Sequence, residues 1–247
     1  MKRSQLVAFL RILILSVFPI AVYAQVPRLP SAQEDYTFSY SILEVEPNNI
    51  ELLEPARNQL LSDASSNGGI VYATWVAADK PSDAPFAGLS SNQMGLMLAW
   101  SNDALEQAEK FKMELQSIDN VSMVSSRLFK AVYLPAGLEV PTKSGFYIHR
   151  EERYSLEDVN DAVRLSQEAW VTWEPYWKAL VVGLFREIGS STETVNLNRI
   201  AWYSSYEAWL ETRNFTEDME SWTRFKERGS LRTPGSGIAI ATDRSVP

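Results

Sequence analysis

Polar and apolar positions alternate where the chain passes Tyr36, Phe38, Tyr40 and Ile42, with Thr37, Ser39 and Ser41 between them, a period of two that predicts a β-strand. A Leu-rich helical stretch follows over 50–64, with Pro55 placed where a helix either starts or bends. Asn67, Gly68 and Gly69 mark a turn into an apolar strand over 70–78, and residues 79–91, rich in Pro, Ser, Asp and Gly, read as a long loop. A strand over 94–100 leads to a helix with Ala104, Ala108, Phe111, Leu115 and Ile118 on one face, opened by an Asp103/Glu106 capping box. A strand over 121–134 ends this half, and a Pro- and Gly-containing linker spans 135–144.

The same order then recurs. A strand over 146–154 is followed by a helix capped by Ser155 and Asp158, with Val159, Ala162, Val163, Ser166, Ala169, Trp170 and Trp173 at helical spacing. Strands over 179–188 and 197–203 flank a Ser/Thr-rich loop. Ser204 and Glu207 cap a helical segment that restarts at Thr216, places Met219, Trp222 and Phe225 on one side and stops at Gly229; a strand over 237–242 is the last. The chain therefore reads twice, over 36–134 and 145–242, as strand, helix, strand, strand, helix, strand. Ala99-Trp100-Ser101-Asn102 and Trp202-Tyr203-Ser204-Ser205 sit at the same strand-to-helix junction. Two α+β units in tandem each offer a sheet face to the other, which predicts a closed intrachain barrel. The alternative is an α+β protein whose element order only looks duplicated.

The N-terminus changes the expected address. Lys2, Arg3 and Arg11 precede an apolar stretch over 12–22 and small residues up to Ala24, the three parts of a secretory signal peptide over 1–24. The apolar stretch is shorter than the roughly 17–25 residues that span a bilayer, so cleavage is the expectation and an uncleaved anchor the alternative; no later segment is a membrane span. The mature protein is then periplasmic or secreted. The chain has no Cys, which excludes a disulfide framework, a thiol nucleophile and thiolate metal ligands. Its formal net charge of -8 becomes more negative once the three basic residues leave with the signal, so nucleic acid and anionic membrane are poor partners. With 45% hydrophobic residues and eight Trp, apolar material for a core is ample.

Three stretches carry a resemblance: Arg150-Glu-Glu-Arg-Tyr-Ser-Leu156, Leu180-Val-Val-Gly-Leu-Phe-Arg-Glu-Ile-Gly189 and Asn198-Arg-Ile-Ala-Trp-Tyr-Ser-Ser-Tyr-Glu-Ala-Trp209. With them the second copy resembles the NIPSNAP domain, a branch of the dimeric α+β barrel superfamily; the first copy matches only in layout. The resemblance implies two ferredoxin-like βαββαβ units packed sheet to sheet around a pocket, as an intrachain pseudo-dimer in a monomer or as a homodimer. It implies little chemistry. Where many members carry an Arg this chain has Glu152, and where many carry a His it has Trp202, so no role attached to those residues is carried over.

The candidate pocket residues are His149, Arg150, Glu152, Tyr154, Arg186, Arg199 and Trp202. Alternation puts Arg150, Glu152 and Tyr154 on one strand face and His149, Glu151 and Arg153 on the other, and charges on both faces cannot all be buried unpaired. Arg186 and Arg199 on neighbouring strands are expected partners for Glu152. Such a cluster either binds an anionic or phenolic ligand or pairs across the sheet structurally. A lone His without Cys builds no ordinary zinc site, and no metal is expected. His149 is either a hydrogen-bonded structural residue or an axial haem ligand, as His is in related barrels; otherwise no cofactor is expected. Six Trp fall between Trp170 and Trp222, most read as helix-to-sheet core, with Trp202 turned to the pocket. Function is thus read as binding of a small apolar or aromatic molecule in the barrel pocket. The alternatives are a cofactor-free monooxygenase-like enzyme on phenolic or quinone-like compounds, with Glu152 and Tyr154 or His149 as acid and base, and a haem protein through His149.

Overall fold

The computed structural model describes residues 35–116, 118–138, 144–189, 191, 193–214 and 217–245; the expected signal peptide lies outside them. In the first half, β1 (Tyr36–Val45), α1 (Leu53–Ser66), β2 (Ile70–Ala77), β3 (Ala87–Gly88), β4 (Gln93–Ser101), α2 (Leu105–Leu115) and β5 (Val121–Tyr133) follow in order. In the second half come β6 (Phe146–Ser155), α3 (Val159–Trp177), β7 (Leu180–Glu187), β8 (Thr194–Tyr203), α4 (Tyr206–Glu211), α5 (Met219–Leu231) and β9 (Ile238–Ser245).

Local chemistry explains the boundaries. A 3-10 turn over Pro47–Leu52 precedes α1, so Pro55 falls in the helix's first turn, where its missing N–H costs nothing. At α3, Ser155 Oγ donates to Asp158 Oδ2 at 2.7 Å and accepts the Asp158 N–H at 3.1 Å, which holds the helix entry as the spacing predicts. The Asp103/Glu106 box does not form: a 3-10 turn occupies Asn102–Ala104 and Asp103 accepts from Ser101 instead. Ser205 rather than Ser204 caps α4, Asp218 caps α5, and α5 runs past Gly229 to Leu231.

Each half forms the order of a βαββαβ unit, β2-β4-β1-β5 and β7-β8-β6-β9, and β5 pairs antiparallel with β7 to join them. The predicted closed barrel of two sheets around a pocket is nevertheless corrected. The strands form one nine-stranded sheet, with β3 at its end beyond β9. β9 shares its outer edge between β3, in parallel, and β2, which meets it over only four residue pairs, Thr74 to Ala77 with Ser245 to Thr242. The ring is therefore not sealed along the length of these strands. A strand as short as β3, inside the Pro- and Ser-rich loop, leaves no periodic trace to read. The space between the two halves of the sheet is also filled rather than hollow. Phe185 meets Phe38 at 5.2 Å and Tyr72 at 6.0 Å between ring centroids, and Tyr72 Oη donates to the Val182 carbonyl at 3.2 Å.

Two further cores lie on the outer side of the sheet. Leu43, Leu60, Leu96, Leu98, Trp100 and Phe111 pack under α1 and α2, and Ile148, Trp170, Trp173, Val181 and Ala201 pack under α3 and α5. Phe86, from the loop before β3, crosses to the second half and meets the Trp209 ring edge-on at 4.8 Å.

Candidate functional site

Strand β6 pairs with β8 in a register that sets Arg150 opposite Arg199 and Glu152 opposite Leu197. The faces divide as the alternation requires. Arg150, Glu152, Tyr154 and Arg199 point to the helices, and His149 and Trp202 to the interior between the two sheet halves. The candidate pocket therefore lies between β6/β8 and α3/α5, not inside the sheet. It is a cavity of about 160 Å³. Trp170, Trp173, Trp222 and Phe225 form its apolar wall, and Arg150, Arg199, Arg213, Arg228 and Arg232 line it together with Glu152 and Asp218.

Glu152 is its electrostatic centre. Arg228 and Arg232 approach its carboxylate at 3.4 Å each, Arg150 at 4.0 Å, and Tyr154 Oη donates to Oε2 at 2.9 Å. Burial alone would raise the Glu152 carboxyl, but Arg228, Arg199 and Arg150 with the Tyr154 hydroxyl outweigh it and hold it down at about 2. Burial raises the Tyr154 hydroxyl, so it stays a proton donor at neutral pH. Arg228 is buried because it also reaches Ser166 Oγ at 3.4 Å and lies 5.2 Å over the Phe225 ring.

Arg199 differs from these. It makes no hydrogen bond and no salt bridge among the described residues, and burial with the Arg228 guanidinium pushes it down to about 9, still charged at neutral pH. Arg150 Nε, Arg228 Nε and Trp170 Nε1 are buried and unpartnered as well. Every orphaned side-chain atom lining the cavity is an N–H donor. Such a set is complementary to an acceptor-rich anion.

The corresponding face of the first half holds no such group. Its register sets Ser41 opposite Leu96 and Leu43 opposite Met94, where β6 and β8 set Arg150 opposite Arg199 and Glu152 opposite Leu197. Leu43, Leu96 and Trp100 fill the space there. The asymmetry between the two copies is thus a filled core against a charged cavity.

Arg186 does not join Glu152; it is exposed at the end of β7 beside Leu156 and Ile188. Trp202 packs at the edge of the interior core and donates to the Ser144 carbonyl at 3.2 Å. Gly145 makes room for it: φ is +152°, and a Cβ there would sit 2.4 Å from Trp202 Nε1 and 2.6 Å from the Tyr203 carbonyl. Gly145→Ala should cost about 2 kcal/mol, read as a lower midpoint in urea unfolding.

His149 is buried, bonded through Nε2 to Thr242 Oγ1 at 3.0 Å, stacked on Tyr40 at 5.6 Å and edge-on to Trp75 at 4.5 Å. Burial pushes it down to about 3, so it is neutral. Rings on both sides leave no face for a porphyrin, so the residues around His149 do not fit haem. Nor does it serve the Glu152 cavity as acid or base, since it lies on the other side of the sheet. Its neighbours on the inner face, Glu151 and Glu187, bind Arg127, with Nε to Glu187 at 2.7 Å. Among the described residues no three His, Cys, Asp or Glu side chains gather as a metal site, and no helix is long and apolar enough to cross a membrane.

Sequence reasoning missed Arg228 and Arg232. The available signal was Arg224, Arg228 and Arg232 at intervals of four, with Ser221, Phe225 and Arg228 on one helix face; Met219, placed on one side with Trp222 and Phe225, is exposed. It also missed Glu174, in the last turn of α3 beside Trp173. Glu174 accepts the Val181 N–H, and burial raises it to about 7 against that bond. A carboxyl raised in the folded state stabilises the fold fully below its unfolded value and loses that contribution as pH rises through about 7. The melting temperature of the wild type should therefore carry a downward component between pH ~4.5 and ~7 that Glu174→Gln removes.

No protein-family model matches the chain, and no curated protein matches it. Solved structures do. An anthrone oxidase-like protein is 12% identical with a TM-score of 0.56, over 87% of this chain and 93% of that one. What is shared is the fold. A mutant chlorite dismutase from Candidatus Nitrospira defluvii is 8% identical with a TM-score of 0.55, over 86% and 92%. A candidate monooxygenase from Lactobacillus acidophilus NCFM is 8% identical with a TM-score of 0.52, over 85% and 93%. The chain thus shares the α+β fold of these structures, and no family model, that of NIPSNAP included, matches it.

Proposed function

We propose that the cavity of the second half binds a phenolic or quinone-like compound as its anion and that the protein is a cofactor-free, monooxygenase-like enzyme acting on it. The observation that carries this reading is the unpartnered Arg199 among donors that have no acceptor. Fold relatives named anthrone oxidase-like and monooxygenase make oxidation of an aromatic ring the favoured activity, as analogy only. The reaction balances without a reductant: a phenol and dioxygen give a quinone and water, the ring supplying all four electrons and keeping one oxygen atom.

The side chains divide that work. Tryptophan walls hold the ring and exclude water, and the guanidiniums stabilise the anion. Glu152, ionised far below neutrality, is no base at pH 7; the ring proton leaves to solvent, its loss eased by the positive field. Tyr154, whose hydroxyl donates to Glu152, fixes that carboxylate, and the protons for reduced oxygen come from solvent. The NIPSNAP-like stretch 150–209 supplies β6, β8 and the wall of α3, and we propose export through cleavage after Ala24, so that purified native protein begins at Gln25. Oxygen-electrode assays with a panel of phenols and quinols test the activity. Uptake lost in Arg199→Met supports it, and no uptake across the panel removes the oxygenase reading.

A further inference from the structure

Resting on the reading of this cavity as an aromatic-anion site, we infer that its ligand is a single-ring aromatic carboxylate of the benzoate or hydroxybenzoate type, anchored by its carboxylate on Arg199.

Three observations select this class. The first is the geometry of the free donors. Arg199, half-buried on the cavity wall, makes no hydrogen bond or salt bridge to a described residue, so its guanidinium fork is open to a ligand, and Arg150 Nε, Arg228 Nε and Trp170 Nε1 are buried donors without a partner. A carboxylate has two oxygens and about four acceptor positions and pairs with a guanidinium through two parallel bonds, whereas a phenolate has one oxygen. The second is that neither carboxylate of the cavity is free to act as a base: Asp218 accepts from the Ser221 N–H and Oγ. Glu152 is tied up by Arg228, Arg232, Arg150 and Tyr154, and His149 is on the far side of the sheet. A ligand that arrives already charged needs no proton removed, and a carboxylate is charged at neutral pH while a simple phenol is not. The third is size. About 160 Å³ is close to the ~150 Å³ that accommodates one benzene ring in an apolar cavity, so one ring fills it.

The test is a titration of tryptophan fluorescence, with calorimetry, of the purified full chain against benzoate, 4-hydroxybenzoate, phenol, 4-nitrophenolate and 1-naphthoate. Benzoate and 4-hydroxybenzoate should bind saturably at one site per chain, at least tenfold more tightly than phenol or 1-naphthoate. Arg199→Lys keeps the charge and loses the fork. It should weaken benzoate at least tenfold and 4-nitrophenolate no more than about threefold, with an unchanged melting temperature showing that the variant folds. Equal weakening of both anions, equal binding of benzoate and phenol, or 1-naphthoate binding as tightly as benzoate would overturn the proposal. Oxygen uptake separates it from the reading beneath it. Benzoate binding with no uptake on any phenol keeps the ligand class and sinks the oxygenase; uptake on neutral phenols without benzoate binding does the reverse.

Discussion

Glu152→Gln should lower the unfolding free energy by about 3 kcal/mol or more, the cost of leaving buried guanidinium charge without its counter-ion. Glu152 is 7% exposed and Arg228 is also 7% exposed, so water cannot take over what the carboxylate does. Arg228 is held by Ser166 Oγ and by the Phe225 ring. Gln keeps the shape and can still accept from Tyr154, so the loss reports charge rather than volume. The pH dependence gives an independent reading. The folded carboxyl is depressed to about 2 from an ordinary value near 4.5. Its contribution is therefore fully present above pH ~4.5 and lost as pH falls towards ~2. Urea unfolding of the wild type should show that acid limb and Glu152→Gln should lack it. Equal stability of the two proteins at pH 7 would mean that the cluster is hydrated and that the cavity is not the enclosed site described.

How far the residues announced this site follows from which contacts are local. Alternation along β6 placed Arg150, Glu152 and Tyr154 together and His149 apart, because period two is set by backbone geometry alone. Arg199 joined them through the β6–β8 register, which the apolar faces of both strands specify. Arg228 stayed hidden because a charged residue in a helix ordinarily faces water; only Glu152, 76 positions earlier in the chain, makes its burial tolerable. Arg186 was misplaced by the same logic of neighbouring strands, since it lies where β7 runs out of the sheet into solvent. The interior failed to be hollow for a non-local reason as well. Tyr40 and Trp75 from the first half close on His149 from the second, and nothing in either half alone states that distance. Element order was legible; what each half packs against was not.

Arg199→Met should abolish ligand binding while leaving the fold as stable as the wild type or more so. The two effects have opposite signs because Arg199 makes no hydrogen bond or salt bridge among the described residues, and burial with the Arg228 guanidinium pushes it down against the attraction of Glu152, which three other arginines also approach. Removing it takes away like-charge repulsion and a desolvation cost, and Met fills the volume with a flexible apolar chain. Charged hydrogen bonds of this kind are worth about 1.5–3 kcal/mol, so affinity for an aromatic anion should fall roughly 10- to 100-fold. Thermal melts and fluorescence titrations on the same preparations decide the matter: a melting temperature several degrees below wild type with binding intact would make Arg199 a structural member of the Glu152 cluster and remove the ligand site from the second half.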